Sequence, residues 1–190
     1  MKLVFASNNK NKLLEVKHQL PPDIELLSLE DIGCHEDIPE TADTIEGNAI
    51  LKADYVTKNY GYDCFADDTG LEVDALNGAP GVYSARYAGH EKSADANMDR
   101  LLTELQGSTN RHAQFKTVIA LNRNGQQHLF TGIVKGHITT QKAGNEGFGY
   151  DPVFMPDGSD LTFAQVSMAQ KALLSHRGHA VKQLIDFLKK

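Results

Sequence analysis

Two adjacent carboxylates, Asp67 and Asp68, interrupt an apolar stretch that runs through Cys64, Phe65 and Ala66 and resumes at Leu71 and Val73. The pattern reads as a short strand, a polar break at Thr69 and Gly70, and a second extended segment. Paired carboxylates at a strand end can hold Mg²⁺ and orient a water for attack. The same residues can equally close a solvated Asx-turn, with Gly70 supplying the bend. Neighbouring side chains of a strand point to opposite faces, so only one of the two acids is expected to face the interior easily.

Other residues carry complementary chemistry. Ser7-Asn8-Asn9-Lys10-Asn11-Lys12 lies between the apolar Leu3 to Ala6 and a helical pattern at Leu13, Leu14, Val16 and Leu20. A polar loop entering a helix offers backbone N–H groups to an anion. Lys12 in the first turn opposes the helix dipole, which a bound anion would relieve; a plain capped helix with a surface lysine is the alternative. An acidic loop carries Glu36, Asp37, Glu40, Asp43 and Glu46. Part of that charge belongs to the start of the next helix, and Glu40 remains free to share a cation with a carboxylate from elsewhere. Asn77 to Gly89 is rich in glycine and contains Arg86, which could reach a phosphate or form an ion pair. Gly144 to Pro152 is neither a P-loop nor a dinucleotide fingerprint, because the required lysine and flanking elements are missing. Its glycines present Phe148 and Tyr150 beside Asp151, a set suited either to a heterocycle or to core packing. Lys171, His176 and Arg177 gather donors at a helix break, where they could read the acceptor edge of a base or serve as caps and ion pairs.

The elements that must position these groups follow from periodicity. Helices are expected from Lys12 to Leu20, Thr44 to Asn59 (with Gly61 as the stop) and Ala94 to Leu105. Ser167 opens another through a capping box with Gln170, and Ser175-His176-Arg177-Gly178 interrupts it before a last helix through Leu188. Strands are expected at Lys2 to Ala6 and Ile24 to Leu29. Ala113 to Leu121 and His128 to Ile138 flank Asn124-Gly125, a hairpin signal that makes the sheet mixed. With 190 residues and no repeat or linker, one domain with two lobes is expected over residues 1–190. A net charge of −6 argues against general affinity for nucleic acid or an anionic membrane, so phosphate recognition must be local. The apolar run Leu3 to Ala6 is too short for a signal peptide, and Cys34 and Cys64 are expected as free cytoplasmic thiols.

In order and spacing, Ser7 to Lys12, Glu40, Asn48 to Ala53, Ala66 to Leu71, Gly78 to Tyr87, Gly147 to Pro152 and Ser175 to Gly178 resemble the inosine triphosphate pyrophosphatase family across essentially the whole chain. The resemblance implies an α/β fold with a long mixed β-sheet, flanking helices and two lobes around a nucleotide cleft, assembled as a homodimer. It implies Mg²⁺-dependent hydrolysis of ITP, dITP and XTP to the monophosphate and pyrophosphate. Carried over, Ser7, Asn8, Asn9, Lys10, Asn11 and Lys12 hold the phosphates, and Lys52 lines their path. Glu40 and Asp68 bind Mg²⁺, and Asp68 also accepts the proton of the attacking water. Thr69 contacts substrate. Phe148, Gly149, Tyr150 and Asp151 receive the base, and Lys171, His176 and Arg177 recognise its 6-oxo edge. Ser7 stands where many members have threonine and Thr69 where many have serine, so each hydroxyl is kept.

That chemistry is coherent. A polyphosphate repels a hydroxide, so cations must neutralise it while a carboxylate takes the proton. Adenine places an amino donor where hypoxanthine and xanthine place an acceptor, and a donor-lined pocket can reject it by roughly 10⁴-fold. Three rivals stand beside this reading. A broader nucleoside triphosphate pyrophosphatase would differ in substrate range, and a non-catalytic nucleotide sensor would not need Asp68. A carboxylate-pair glycosidase fits poorly with a lysine-bearing loop and no tryptophan.

Overall fold

The computed structural model describes residues 1–190. A seven-stranded sheet is ordered β2-β1-β3-β5-β6-β7, with β4 on β3. The strands are β1 (Lys2–Phe5), β2 (Glu25–Leu27), β3 (Cys64–Val73), β4 (Pro80–Gly81), β5 (His112–Arg123), β6 (Gln126–Ile138) and β7 (Phe154–Pro156). The helices are α1 (Lys10–Gln19), α2 (Ile45–Tyr60), α3 (Ala94–Glu104), α4 (Met168–Leu174) and α5 (His176–Leu188). β1 pairs parallel with β2 and β3, whereas β3–β4 and β6–β7 are antiparallel, so the sheet is mixed as expected. Asn124 and Gly125 both have positive φ (51° and 74°), the geometry of the tight turn that joins β5 to β6.

The chain divides into two compact units. The first comprises Met1–Asp68, Thr117–Gly132 and Arg177–Lys190; the second comprises Thr69–Lys116 and Ile133–His176. In the first, Leu3 and Phe5 of β1, Phe65 of β3, Val16 of α1 and Val181 and Leu184 of α5 form one apolar cluster. Phe5 and Phe65 stack with centroids 4.8 Å apart. In the second, Leu71 and Val73 pack with Leu101 of α3, Phe115 of β5, Ile138 of β6, and Phe154 and Phe163.

Three boundaries differ from the sequence reading. Cys64 to Val73 is one continuous strand, so Asp67 and Asp68 sit inside it and not at its end. Both acids are buried, because helices cover both faces of this part of the sheet. Asp67 lies on the face that carries α1 and α5, and Asp68 on the face that carries α2. β2 covers only Glu25–Leu27: Ser28 leaves the ladder to donate from its N–H and hydroxyl to Asp31 Oδ2, both at 2.7 Å. The break between the last helices is the single residue Ser175, and His176, Arg177 and Gly178 already belong to α5.

Candidate active site

α1 follows β1 directly, and its entry is built by short polar side chains. Ser7 Oγ accepts from Asn9 N–H at 3.2 Å. The Asn9 side-chain Oδ1 caps the helix by accepting from Asn11 N–H (3.0 Å) and Lys12 N–H (3.2 Å). Asn8, Asn9, Lys10 and Asn11 are exposed. Lys12 turns inward, and its Nζ donates to Asp67 Oδ1 at 3.1 Å.

α2 supplies the next cation. Thr44 caps it by accepting from Gly47 N–H, and Gly61 ends it in the left-handed conformation. Asn48 and Lys52 are buried on this helix along with Ile45, Ala49, Ala53 and Val56. Asn48 Oδ1 accepts from Ala42 N–H at 2.9 Å and holds the end of the acidic loop. Lys52 Nζ donates to Glu40 Oε1 at 2.7 Å and lies 3.7 Å from Asp68 Oδ1. Asp68 Oδ2 is buried with no hydrogen-bond partner.

The charges within this unit act on one another. Burial pushes the Asp68 carboxyl above its ordinary range; Lys52 and Lys12 pull it back, while Glu40 and Asp67 push it further up. Burial also opposes the charge on Asp67, but Lys12, Arg177 and Lys52 outweigh it and hold that carboxyl far below its ordinary range. Lys12 is pulled down by burial, which Asp67 offsets only in part, and by its neighbours Lys52 and Arg177. Burial also opposes the charge on Lys52, but Asp68, Glu40 and Asp67 hold its ammonium above the usual value. The two acids are therefore inequivalent: the cations around Asp67 favour its charged form, and Asp68, its carboxyl pushed up by burial, is the more basic of the two.

The second unit holds an aromatic and carboxylate cluster. Lys171 Nζ donates to Asp151 Oδ2 at 2.6 Å, with both side chains buried. The same ammonium lies 4.6 Å from the centroid of Phe148. Asp151 Oδ2 also accepts from Phe148 N–H at 2.9 Å. Gly147 makes that closure possible: its φ is +70°, and a Cβ there would stand 2.1 Å from Asp151 Oδ2. Tyr150 is core, donating its hydroxyl to Ser84 O at 2.6 Å. His176 stacks on Phe115 at 4.5 Å. Arg86 places its guanidinium 5.2 Å from the Tyr83 ring centroid. Thr69 follows Asp68 in β3 and is half-buried.

The structure thus brings Lys12, Glu40, Lys52, Asp67 and Asp68 together through shared charge contacts, and separately brings Phe148, Asp151 and Lys171 together. Arg177 belongs with the first group: it donates from Nε to Asp67 Oδ2 at 2.9 Å and from Nη1 to Glu15 Oε2 at 2.5 Å.

A family model described as the Ham1 family matches residues 3–187. The chain belongs to the Ham1 family. A dITP/XTP pyrophosphatase of Flavobacterium psychrophilum is 69% identical over 189 residues, covering 100% of both chains. One of the same name from Porphyromonas gingivalis is 54% identical over 188 residues, covering 98% of this chain and 97% of the relative. The solved Ham1 protein of Staphylococcus aureus matches with a TM-score of 0.91 at 43% identity, over 100% of this chain and 98% of that one. The HAM1 protein of Coxiella burnetii gives 0.92 at 36% identity, over the same shares. The resemblance read from the motifs and the mixed α/β fold are both met.

Membership of the Ham1 family still leaves two residues of the charge cluster that sequence reasoning did not assign. Asp67 received no role, and Glu15 was passed over within α1. Its spacing of three from Lys12, which places both on one helix face, was the available signal.

Proposed function

We propose that this chain hydrolyses deaminated purine nucleoside triphosphates (ITP, dITP and XTP) to the monophosphate and pyrophosphate. The observation that carries the reading is the buried, unpartnered Asp68 Oδ2 beside the Lys52 ammonium that links Asp68 to Glu40. The names of the relatives from Flavobacterium and Porphyromonas support the same substrate class.

The donor set fits Mg²⁺. An unsatisfied carboxylate oxygen and a second carboxylate on the same ammonium are hard oxygen ligands. No group of three or more His, Cys, Asp or Glu is placed to hold a metal ion by itself, so an ion here would take two carboxylates and draw its other ligands from phosphate oxygens and water. Glu40 and Asp68 would hold it, and it would neutralise charge on the polyphosphate.

The chain's own residues then divide the work. Ser7 to Lys12 and Lys52 bind the triphosphate and offset its charge. Asp68 takes the proton of the water that attacks the α-phosphorus; the bond to the β-phosphate bridging oxygen breaks, and pyrophosphate leaves. Thr69 contacts the substrate beside Asp68. Phe148, Gly149 and Asp151 form the base site, with Tyr150 fixing that loop from the core through Ser84 O and Lys171 and His176 as donors toward the 6-oxo edge. Arg177, the third donor expected there, serves the phosphate side through Asp67. A homodimer in the cytoplasm completes the proposal; no helix is long and apolar enough to cross a membrane.

The test is pyrophosphate release with Mg²⁺ across ITP, XTP, GTP, ATP, dUTP and their deoxy forms. Selectivity for ITP and XTP is the expected result. Flat selectivity would remove the base site, and no turnover would leave a nucleotide sensor.

A further inference from the structure

Lys12, Asp67, Arg177 and Glu15 form a continuous chain of charges, linked in that order, that no proton transfer requires. Lys12 and Glu15 stand three residues apart on α1, Asp67 lies on β3, and Arg177 is in the first turn of α5. Asp67 divides its carboxylate: Oδ1 takes Lys12 at 3.1 Å, and Oδ2 takes Arg177 Nε at 2.9 Å. Glu15 holds Arg177 from the far side at 2.5 Å. The set holds two cations and two anions, all buried or nearly so, with side-chain exposures of 14% for Lys12, 1% for Asp67, 2% for Arg177 and 10% for Glu15.

Removing one partner from a buried ion pair is costly because the remaining charge is left uncompensated. If Lys12 had Asp67 to itself, turning toward a phosphate would incur that cost and weaken binding. The second cation changes this, since Asp67 stays paired through Oδ2 while Oδ1 is released. Glu15 in turn keeps Arg177 in place.

We infer that Asp67 and Arg177 are positioning residues for the triphosphate: Asp67 aims Lys12, and Arg177 holds the Asp67 charge when Lys12 engages phosphate. This rests on the assignment of Lys12 to the phosphates, and it gives Arg177 a role that does not depend on the base. A ligand without a base therefore tests it.

Inorganic tripolyphosphate and inosine serve as separate competitive inhibitors of ITP hydrolysis, measured in a cycle of Arg177→Gln and Lys12→Gln. The expected result is a tripolyphosphate Ki raised about 10-fold or more by Arg177→Gln, the scale of a misplaced binding group. The same substitution should add little once Lys12 is glutamine, and the inosine Ki should stay unchanged throughout. An unchanged tripolyphosphate Ki with a weakened inosine Ki would overturn the inference and return Arg177 to the base. Additive losses in the cycle would overturn it as well, since Arg177 would then act without Lys12. If Arg177→Gln does not fold, Asp67→Asn takes its place, with the same outcomes deciding. A parental chain that hydrolyses ITP but ignores tripolyphosphate would overturn the phosphate-loop assignment itself, a result distinct from loss of coupling.

Discussion

The ammonium of Lys52 lies 3.7 Å from the Asp68 carboxylate, which it reaches from α2 across the face of β3. That contact only partly offsets the burial that pushes the Asp68 carboxyl upward. The charged form of Asp68 is therefore held at some cost to the stability of the fold.

Asp68→Asn relieves that cost while removing the proposed proton acceptor. Turnover is expected to fall by about 10²-fold to 10⁴-fold. The thermal unfolding midpoint is expected to hold steady or rise. Steady-state rates and thermal unfolding on the same preparation check both. A midpoint lowered by several degrees would show that the fold needs this carboxylate.

Lys52→Met leaves Glu40 and Asp68 facing one another with no shared cation. The loss is expected to be on the order of 2 kcal/mol, below that of a fully buried pair because Glu40 is 36% exposed. Mg²⁺ should restore more stability to this variant than to the parental chain, since a divalent cation would replace the ammonium. Denaturant unfolding with and without Mg²⁺ reads the difference. No gain with the metal would remove Glu40 and Asp68 as its ligands.

Glu36 anchors the acidic loop to α2 by accepting hydrogen bonds from Tyr60 (2.6 Å) and Tyr55 (2.8 Å). These phenols hold its carboxyl down to about 2, against an ordinary 4.5. A carboxyl whose folded value lies below its unfolded value adds stability above the ordinary value, and that share drains away as pH falls toward the folded one. Glu36→Gln should therefore be less stable than the parental chain at neutral pH, and the gap should close between about pH 4.5 and pH 2. Urea midpoints across that range provide the measurement; a gap independent of pH would exclude the charge as the cause.

Gly147→Ala places a methyl against Asp151 Oδ2 in a backbone conformation that L-residues avoid. A stability loss of about 1–3 kcal/mol is expected. The Asp151 contacts to Lys171 and Phe148 N–H should loosen together, raising KM for ITP more than it lowers kcat. A fall in kcat with KM unchanged would place Asp151 outside base binding.

Much of the framework was legible locally. Thr44 and Gly61 bracket α2, Ser167 and Gln170 open α4, and Asn124-Gly125 turns the hairpin. Each signal acts within a few residues, where caps and turn conformations are decided. The buried charges were harder to place, because a polar pair inside an apolar run looks like a break. Only helices on both faces allow Asp67 and Asp68 to remain in one strand.

By itself, the order of motifs determined the family and the mixed α/β fold, and it nominated the side chains proposed for phosphate and base chemistry. The tertiary structure decided their pairing. Lys12 meets Asp67 across 55 positions, Arg177 meets Asp67 across 110, and Arg177 meets Glu15 across 162. No local periodicity encodes such contacts. They arise because α1 and α5 cover the same face of β3, where charges excluded from water must find one another.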